Sequence, residues 1–86
     1  MIIRYTKESL KFLNKLEKKS VERIRNAVVG LTLNPPIGDI KSMQGSKDER
    51  LRLRVGNWRI IFKYCSDQEL EVLLVLEIGN RGDIYK

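Results

Sequence analysis

Histidine is absent from this chain of 86 residues and cysteine occurs once, at Cys65. The first absence removes the imidazole of hydrolase triads, and the two together remove the ligand sets of ordinary zinc sites. A single cysteine forms no internal disulfide, and with no histidine to activate it the thiol reads as packing. No apolar run approaches the roughly 18 residues that a membrane span needs; the longest is Val72 to Leu76. The opening Met1-Ile2-Ile3-Arg4-Tyr5 enters a strand pattern at once, without the basic, apolar and small-residue order of a secretory signal, so the expected compartment is the cytoplasm. There are no repeats and no low-complexity segments. Acid–base chemistry in such a chain falls to Lys, Arg, Tyr, Asp and Glu.

Basic residues are plentiful. Seventeen Lys and Arg against 11 Asp and Glu leave a net charge of +6, which on one small domain favours attraction to nucleic acid or to an acidic protein without choosing between them. The length allows one core, so residues 1–86 are read as a single domain.

Ile2 to Tyr5 reads as a short strand, and Thr6 as the cap of a first helix with Leu10, Leu13 and Leu16 at helical spacing. Ser20 offers a second cap ahead of Val21, Ile24, Ala27, Val28 and Leu31, the apolar face of a second helix that Asn34-Pro35-Pro36 is expected to end. Residues 37–47 read as a loop plugged onto the core by Ile40 and Met43. Ser66 to Glu69 reads as a turn, and Leu70 to Ile78 as a strand apolar on both faces, which belongs inside a sheet. Gly79 to Asp83 reads as a further turn, with Ile84-Tyr85 as a last short strand. The expected fold is α+β, order β-α-α-β-β-β, with a two-helix hairpin on one face of a small, mostly antiparallel sheet and the other face left for function.

The most informative segment is a hairpin. Leu51-Arg52-Leu53-Arg54-Val55 alternates apolar and basic with the period of two of a half-buried strand, Trp58 to Tyr64 reads as its partner, and Gly56-Asn57 lies between them. That connection suits a tight turn with positive φ at both central residues, and it sets Val55 opposite Trp58, Arg54 opposite Arg59, Leu53 opposite Ile60 and Arg52 opposite Ile61. Continued, the ladder sets Arg50 opposite Lys63. Arg50, Arg52, Arg54, Arg59 and Lys63 then share one side, while Leu51, Leu53, Val55, Trp58, Ile60 and Phe62 take the other. Like charges directly opposed in a sheet destabilise it, and no acid falls on that side of either strand except Asp48, so the stripe reads as a site for a polyanion.

The hairpin Leu51 to Phe62, the strand and turn Leu73-Leu74-Val75-Leu76-Glu77-Ile78-Gly79-Asn80-Arg81, and the closing Asp83-Ile84-Tyr85 resemble the RelE toxins of the RelE/ParE toxin–antitoxin superfamily. The resemblance implies a toxin whose partner is an acidic, RelB-like antitoxin. It also implies one of two activities: cleavage of messenger RNA in the aminoacyl site of the ribosome, as in the RelE branch, or inhibition of DNA gyrase without nuclease activity, as in the ParE branch. Matched by motif, the basic catalytic positions of the RelE branch fall on Arg50, Arg52, Arg59 and Arg81, and its terminal tyrosine on Tyr85. Retention of Arg81 and Tyr85 favours the nuclease. Such cleavage uses the RNA's own 2′-hydroxyl and needs neither metal nor cofactor. Arg59 and Arg81 would clamp the scissile phosphate, Tyr85 would move a proton, and Arg50, Arg52, Arg54 and Lys63 would hold the flanking backbone. The chain departs from many relatives in carrying Asn80 where they have histidine, and in placing arginine at 50 and 52 where some have lysine. Arginine stays charged, so neither is a convenient base.

Overall fold

The computed structural model describes residues 1–43 and 49–80. Within them the order is β1 (Ile2–Tyr5), α1 (Lys7–Leu13), α2 (Lys18–Gly30), β2 (Asp39–Ser42), β3 (Leu51–Val55), β4 (Trp58–Asp67) and β5 (Leu70–Asn80). The strands form one sheet, β1-β5-β4-β3-β2, antiparallel except where β1 runs parallel to β5. The expected architecture of two helices on a mostly antiparallel sheet is what the chain adopts. The nearly continuous apolar run becomes β5, an interior strand as its two-faced pattern requires.

Leu13, Ile24, Val28 and Leu31 from the helical layer close over Leu53, Val55, Ile60, Phe62, Leu73, Val75 and Ile78 of the sheet. All of these strand residues face the same side, an irregularity in β5 bringing Ile78 onto the face of Leu73 and Val75, so the core lies on one face only. Leu51 and Trp58 pack at its margin on that side. Tyr64 shares the parity too: its hydroxyl donates to the Leu31 carbonyl at 2.7 Å, and its ring meets Phe62 edge-on at 5.6 Å.

Local chemistry moves several element boundaries. Thr6 caps α1 as expected, its Oγ1 accepting from the Ser9 amide at 3.2 Å, while the Ser9 hydroxyl donates back to the Thr6 carbonyl at 2.8 Å. The helix stops at Leu13, however, which leaves Leu16 beyond it and Leu10 39% exposed. The second helix starts earlier than its serine suggested: Glu17 is the N-cap, with no side-chain bond, and Ser20 falls inside the first turn. It also ends before the prolines. Leu31, Thr32 and Leu33 donate to carbonyls three residues back, and this tightened last turn uses up the helix ahead of Asn34, which proline bars from helical geometry.

Residues 37–47 were expected to form a loop, but Asp39–Ser42 pair with Leu51–Arg54 as an added edge strand. Its single apolar contact, Ile40 opposite Leu53, is too short a pattern to announce a strand. Gly38 starts it at φ +142, where a Cβ would lie 2.6 Å from Leu53 Cδ1, so the position excludes a side chain.

The two tight turns exchange roles. Gly56 has φ +58 but Asn57 is not among the residues of positive φ, so only one of the two expected left-handed residues occurs in the β3–β4 turn. Glycine at the first central position suffices for such a hairpin. The β4–β5 turn is Gln68-Glu69 alone, because β4 extends through Ser66 and Asp67, and both turn residues have positive φ, 49° and 70°. Gly79 and Asn80, expected in a turn, finish β5 instead.

Candidate nucleic-acid interface

The register of the arginine hairpin is as the sequence implies. Val55 faces Trp58, Arg54 faces Arg59, Leu53 faces Ile60 and Arg52 faces Ile61. Arg52, Arg54, Arg59 and Lys63 therefore share the face opposite the core, and among the described residues no helix covers it. Arg50 departs from its expected place. The β3–β4 ladder ends at Leu51 and Phe62, so Arg50 does not pair with Lys63. It lies just before β3, its carbonyl accepting from the Met43 amide at 3.2 Å, and it lines a groove of about 370 Å³ with Thr6, Lys7, Glu8, Leu76 and Glu77.

That groove sits where β5 has an irregular register. Ile61 pairs with Glu77 but Phe62 pairs with Val75, so Leu76 is the extra residue of a bulge. Bulges re-aim side chains and recur beside functional sites. Thr6 anchors this edge, donating from its hydroxyl to the Leu76 carbonyl at 2.7 Å and from its amide to the Val75 carbonyl at 3.1 Å.

Burial separates the arginines. Arg59 is 4% exposed and Ile61 1%, although both point away from the helices. A guanidinium closed off from water is costly unless other groups compensate its charge, and it is held in place by its surroundings. Arg54 is instead 37% exposed in its side chain, and its Nε donates to Asp39 Oδ2 at 2.8 Å. This aspartate, two strand positions from Lys41 on β2, is an acid on the face that the hairpin alone did not reveal. Glu77, level with Ile61 on β5, is another. The hairpin strands were expected to carry no acid on this side except Asp48, and these two acids arrive instead from neighbouring strands, which a two-strand reading does not include. Asp48 itself lies outside the described residues. At the far end of the same face Arg4 pairs with Asp67 at 3.0 Å.

Arg81 and Tyr85 lie outside the described residues, whose last member is Asn80 at the end of β5. Asn80 pairs with Trp58 and Gly79 with Arg59, so the last described residues of β5 lie beside the arginine hairpin. Trp58 packs on the core side, as parity implies, under the Arg23 guanidinium of α2, 5.9 Å from its ring centroid. Arg25 similarly lies 5.0 Å from the ring of Tyr5, and burial pushes the Tyr5 hydroxyl above its usual pKa against the opposing pull of Arg25. Burial alone raises Tyr64. Among the described residues no three His, Cys, Asp or Glu side chains come together as metal ligands would.

No curated protein sequence matches the chain. Solved structures do. A chain of the archaeal RelE–RelB complex from Pyrococcus horikoshii is 25% identical, superposes with a TM-score of 0.72 and is covered over 94% of both chains. The YoeB/ParE toxin from Agrobacterium tumefaciens gives a TM-score of 0.74 at 16% identity, with 93% of this chain and 98% of that one covered. The isolated RelE toxin of E. coli gives 0.66 at 20% identity, over 92% and 82%. The family model for the ParE toxin of type II toxin–antitoxin systems, parDE, matches residues 3–85. A match over that length, on a fold shared with RelE and YoeB toxins, places the chain in the ParE toxin family of type II toxin–antitoxin systems, within the RelE/ParE superfamily.

Proposed function

We propose that this toxin is a ribosome-dependent endoribonuclease that cuts messenger RNA in the aminoacyl site and so arrests translation in the cytoplasm. The observation that carries the reading is the gathering of Arg52, Arg54, Arg59 and Lys63 on the face of β3 and β4 opposite the core, with Arg59 held at 4% exposure. A buried, fixed arginine suits stabilisation of charge that develops during reaction, because its surroundings need not reorganise as the phosphorus becomes five-coordinate.

In the proposed reaction the 2′-oxygen forms a bond to phosphorus and the bond from phosphorus to the 5′-oxygen breaks. The 2′-hydroxyl proton leaves to a base and the 5′-oxygen takes one up, giving a 2′,3′-cyclic phosphate and a 5′-hydroxyl. Arg59 and Arg81 clamp the phosphate, Arg50 and Arg52 complete the cationic site, and Arg54 and Lys63 hold the flanking backbone. Tyr85 transfers a proton. No metal or cofactor takes part. The proposed inhibitor is an acidic, RelB-like antitoxin, in keeping with the RelE–RelB complexes from Pyrococcus horikoshii, Methanococcus jannaschii and Mycobacterium tuberculosis that share the fold.

The family description, ParE, favours a second reading, a toxin that inhibits DNA gyrase and breaks no bond itself. Purified toxin added to a translating extract separates the two. Under the nuclease reading, primer extension finds cuts at in-frame codon positions that disappear without ribosomes and with Tyr85→Phe. Intact messenger together with gyrase-linked DNA breaks in cells would establish the second reading.

A further inference from the structure

A second group of cations lies where the two helices meet. Lys11 is in the last turn of α1, Lys15 in the connection, and Lys18, Lys19 and Arg23 on α2. All five are exposed, and with Glu17 and Glu22 among them they leave +3, half the net charge of the chain. Among the described residues none of the five enters an ion pair. The sheet separates them from Arg52, Arg54, Arg59 and Lys63, which point away from the helices. Lys11 suits the C-terminal end of α1, but its neighbours oppose the helices they sit on. The first turn of α2 holds Lys18 and Lys19 and no acid, against the positive end of the helix dipole, and the N-cap Glu17 makes no side-chain bond. Lys19 and Arg23 are like charges four positions apart on one helix, as are Lys7 and Lys11 on α1. Cations placed against local stability are accounted for by a polyanion outside the chain.

The surroundings select the partner. Of the large apolar side chains that are exposed, only Leu10 adjoins these lysines; Val29, Leu33 and Ile37 lie toward the other end of α2, where the Ile37 amide donates to the Gly30 carbonyl at 3.0 Å. The lysine end therefore lacks the apolar anchors on which a protein partner depends. It lacks a stacking platform too, because the nearest aromatics, Phe12 and Trp58, pack against the core, and single-stranded RNA is held by such platforms. What remains is a spread of flexible point charges, which suits the phosphates of a double helix, recognised by backbone and shape. Arg23 carries the group to the β3–β4 turn, its guanidinium 3.1 Å from the place that a Cβ on Gly56 would take.

We propose that Lys11, Lys15, Lys18 and Lys19 dock the phosphate backbone of double-helical RNA, as a folded structural RNA presents it, while the messenger occupies the sheet face. The inference rests on the ribosome-dependent reading above. It makes the toxin a bridge between two RNAs, with the lysines on the folded RNA of the ribosome and the arginine hairpin on the message.

The test follows binding to the full chain by fluorescence anisotropy between about 50 and 300 mM salt. One probe is an RNA duplex of about 16 base pairs. The other is a short unstructured single strand carrying 2′-O-methyl groups, which removes the attacking hydroxyl and separates binding from cleavage. Lys18→Gln with Lys19→Gln weakens duplex binding about tenfold at low salt and reduces the slope of log K against log salt by nearly two, about 0.9 for each lost contact. Binding of the single strand is unchanged. Lys18→Glu with Lys19→Glu abolishes duplex binding yet raises the thermal midpoint, because acids suit the first turn of α2, so the loss of binding is not a loss of fold. In the translating extract both double variants need more ribosomes for half-maximal messenger cleavage and reach the native rate at saturation. Duplex binding that survives changing all four lysines to Gln would overturn the inference, as would equal losses for the two probes or tighter binding of duplex DNA. Tighter binding of a glutamate-rich peptide of equal charge would assign the surface to an acidic protein and overturn it as well. The duplex assay needs neither ribosome nor cleavage. Lysine-dependent duplex binding by a chain that leaves messenger intact in the extract would therefore remove the nuclease reading and keep the docking surface, whereas native cleavage by the variants at every ribosome concentration would do the reverse.

Discussion

Ile61 and Phe62 are neighbours in the chain and equally closed to solvent, at 1% and 0% exposure, yet they lie on opposite faces of the sheet. Phe62 belongs to the core beneath the helices. Ile61 is flanked across the strands by Arg52 and Glu77, with Arg59 and Lys63 two positions away on either side. Both faces thus have closed interiors, and they differ in what the interior contains: hydrocarbon on one side, a fixed guanidinium among charged groups on the other. One face holds the fold together, and the other holds charge at fixed positions. A merely solvated charged surface would not bury Arg59.

The sharpest way to break this comparison is to remove one residue from each face. Phe62→Ala is expected to cost about 3–5 kcal/mol of stability, read as a lowered denaturant midpoint. Arg59→Lys keeps the charge but loses the planar donor fork, and is expected to lower messenger cleavage by about 10²- to 10³-fold with a much smaller change in stability. Equal losses of stability in the two variants would contradict the division.

Smaller changes sharpen it. Gly38→Ala drives a methyl group toward Leu53 and strains a positive-φ position, which is expected to cost about 1–3 kcal/mol while leaving the arginine hairpin paired. Tyr64→Phe deletes the hydroxyl that donates to Leu31 and is expected to cost about 1 kcal/mol. That hydroxyl also predicts a pH effect. Burial raises the Tyr64 pKa in the folded chain above its ordinary value near 10, so the folded state holds the proton more tightly than the unfolded one. Its contribution is complete below about pH 10 and is lost as the pH rises through the folded value. Chemical denaturation at pH 9 and pH 11 should show a smaller alkaline loss in Tyr64→Phe than in the native protein. The smallest effect touches neither face: replacing Gln68-Glu69 with Asn-Gly, which suits two positive-φ positions, is expected to stabilise by about 0.4–1 kcal/mol and leave RNA binding unchanged.

These faces were legible in the sequence wherever a pattern extended over several residues. The period of two in Leu51 to Val55 and the two-residue Gly56-Asn57 spacing set the hairpin register, and the five residues from Val72 to Leu76 marked an interior strand. Boundaries decided by a single contact were not legible. Ile40 alone ties β2 to the core side, and Ser20 was a better cap by type than Glu17, yet α2 begins at Lys18. Burial of Arg59 was invisible too, because alternation gives a side chain's direction and not what crowds around it. Asp39 escaped notice for a related reason: its pairing with Arg54 crosses to a strand that the sequence did not show.

The measurement that tests the division of the faces most directly is a methyl NMR titration with the non-cleavable 2′-O-methyl RNA, comparing Ile60 with Ile61. Adjacent in sequence and on opposite faces, they share every influence except the side on which RNA docks. The account predicts large shifts at Ile61 and at Val72, which faces the same side, with Ile60 and Val75 nearly unmoved. Shifts centred on Ile60 and the helical residues Ile24 and Val28, with Ile61 silent, would contradict it.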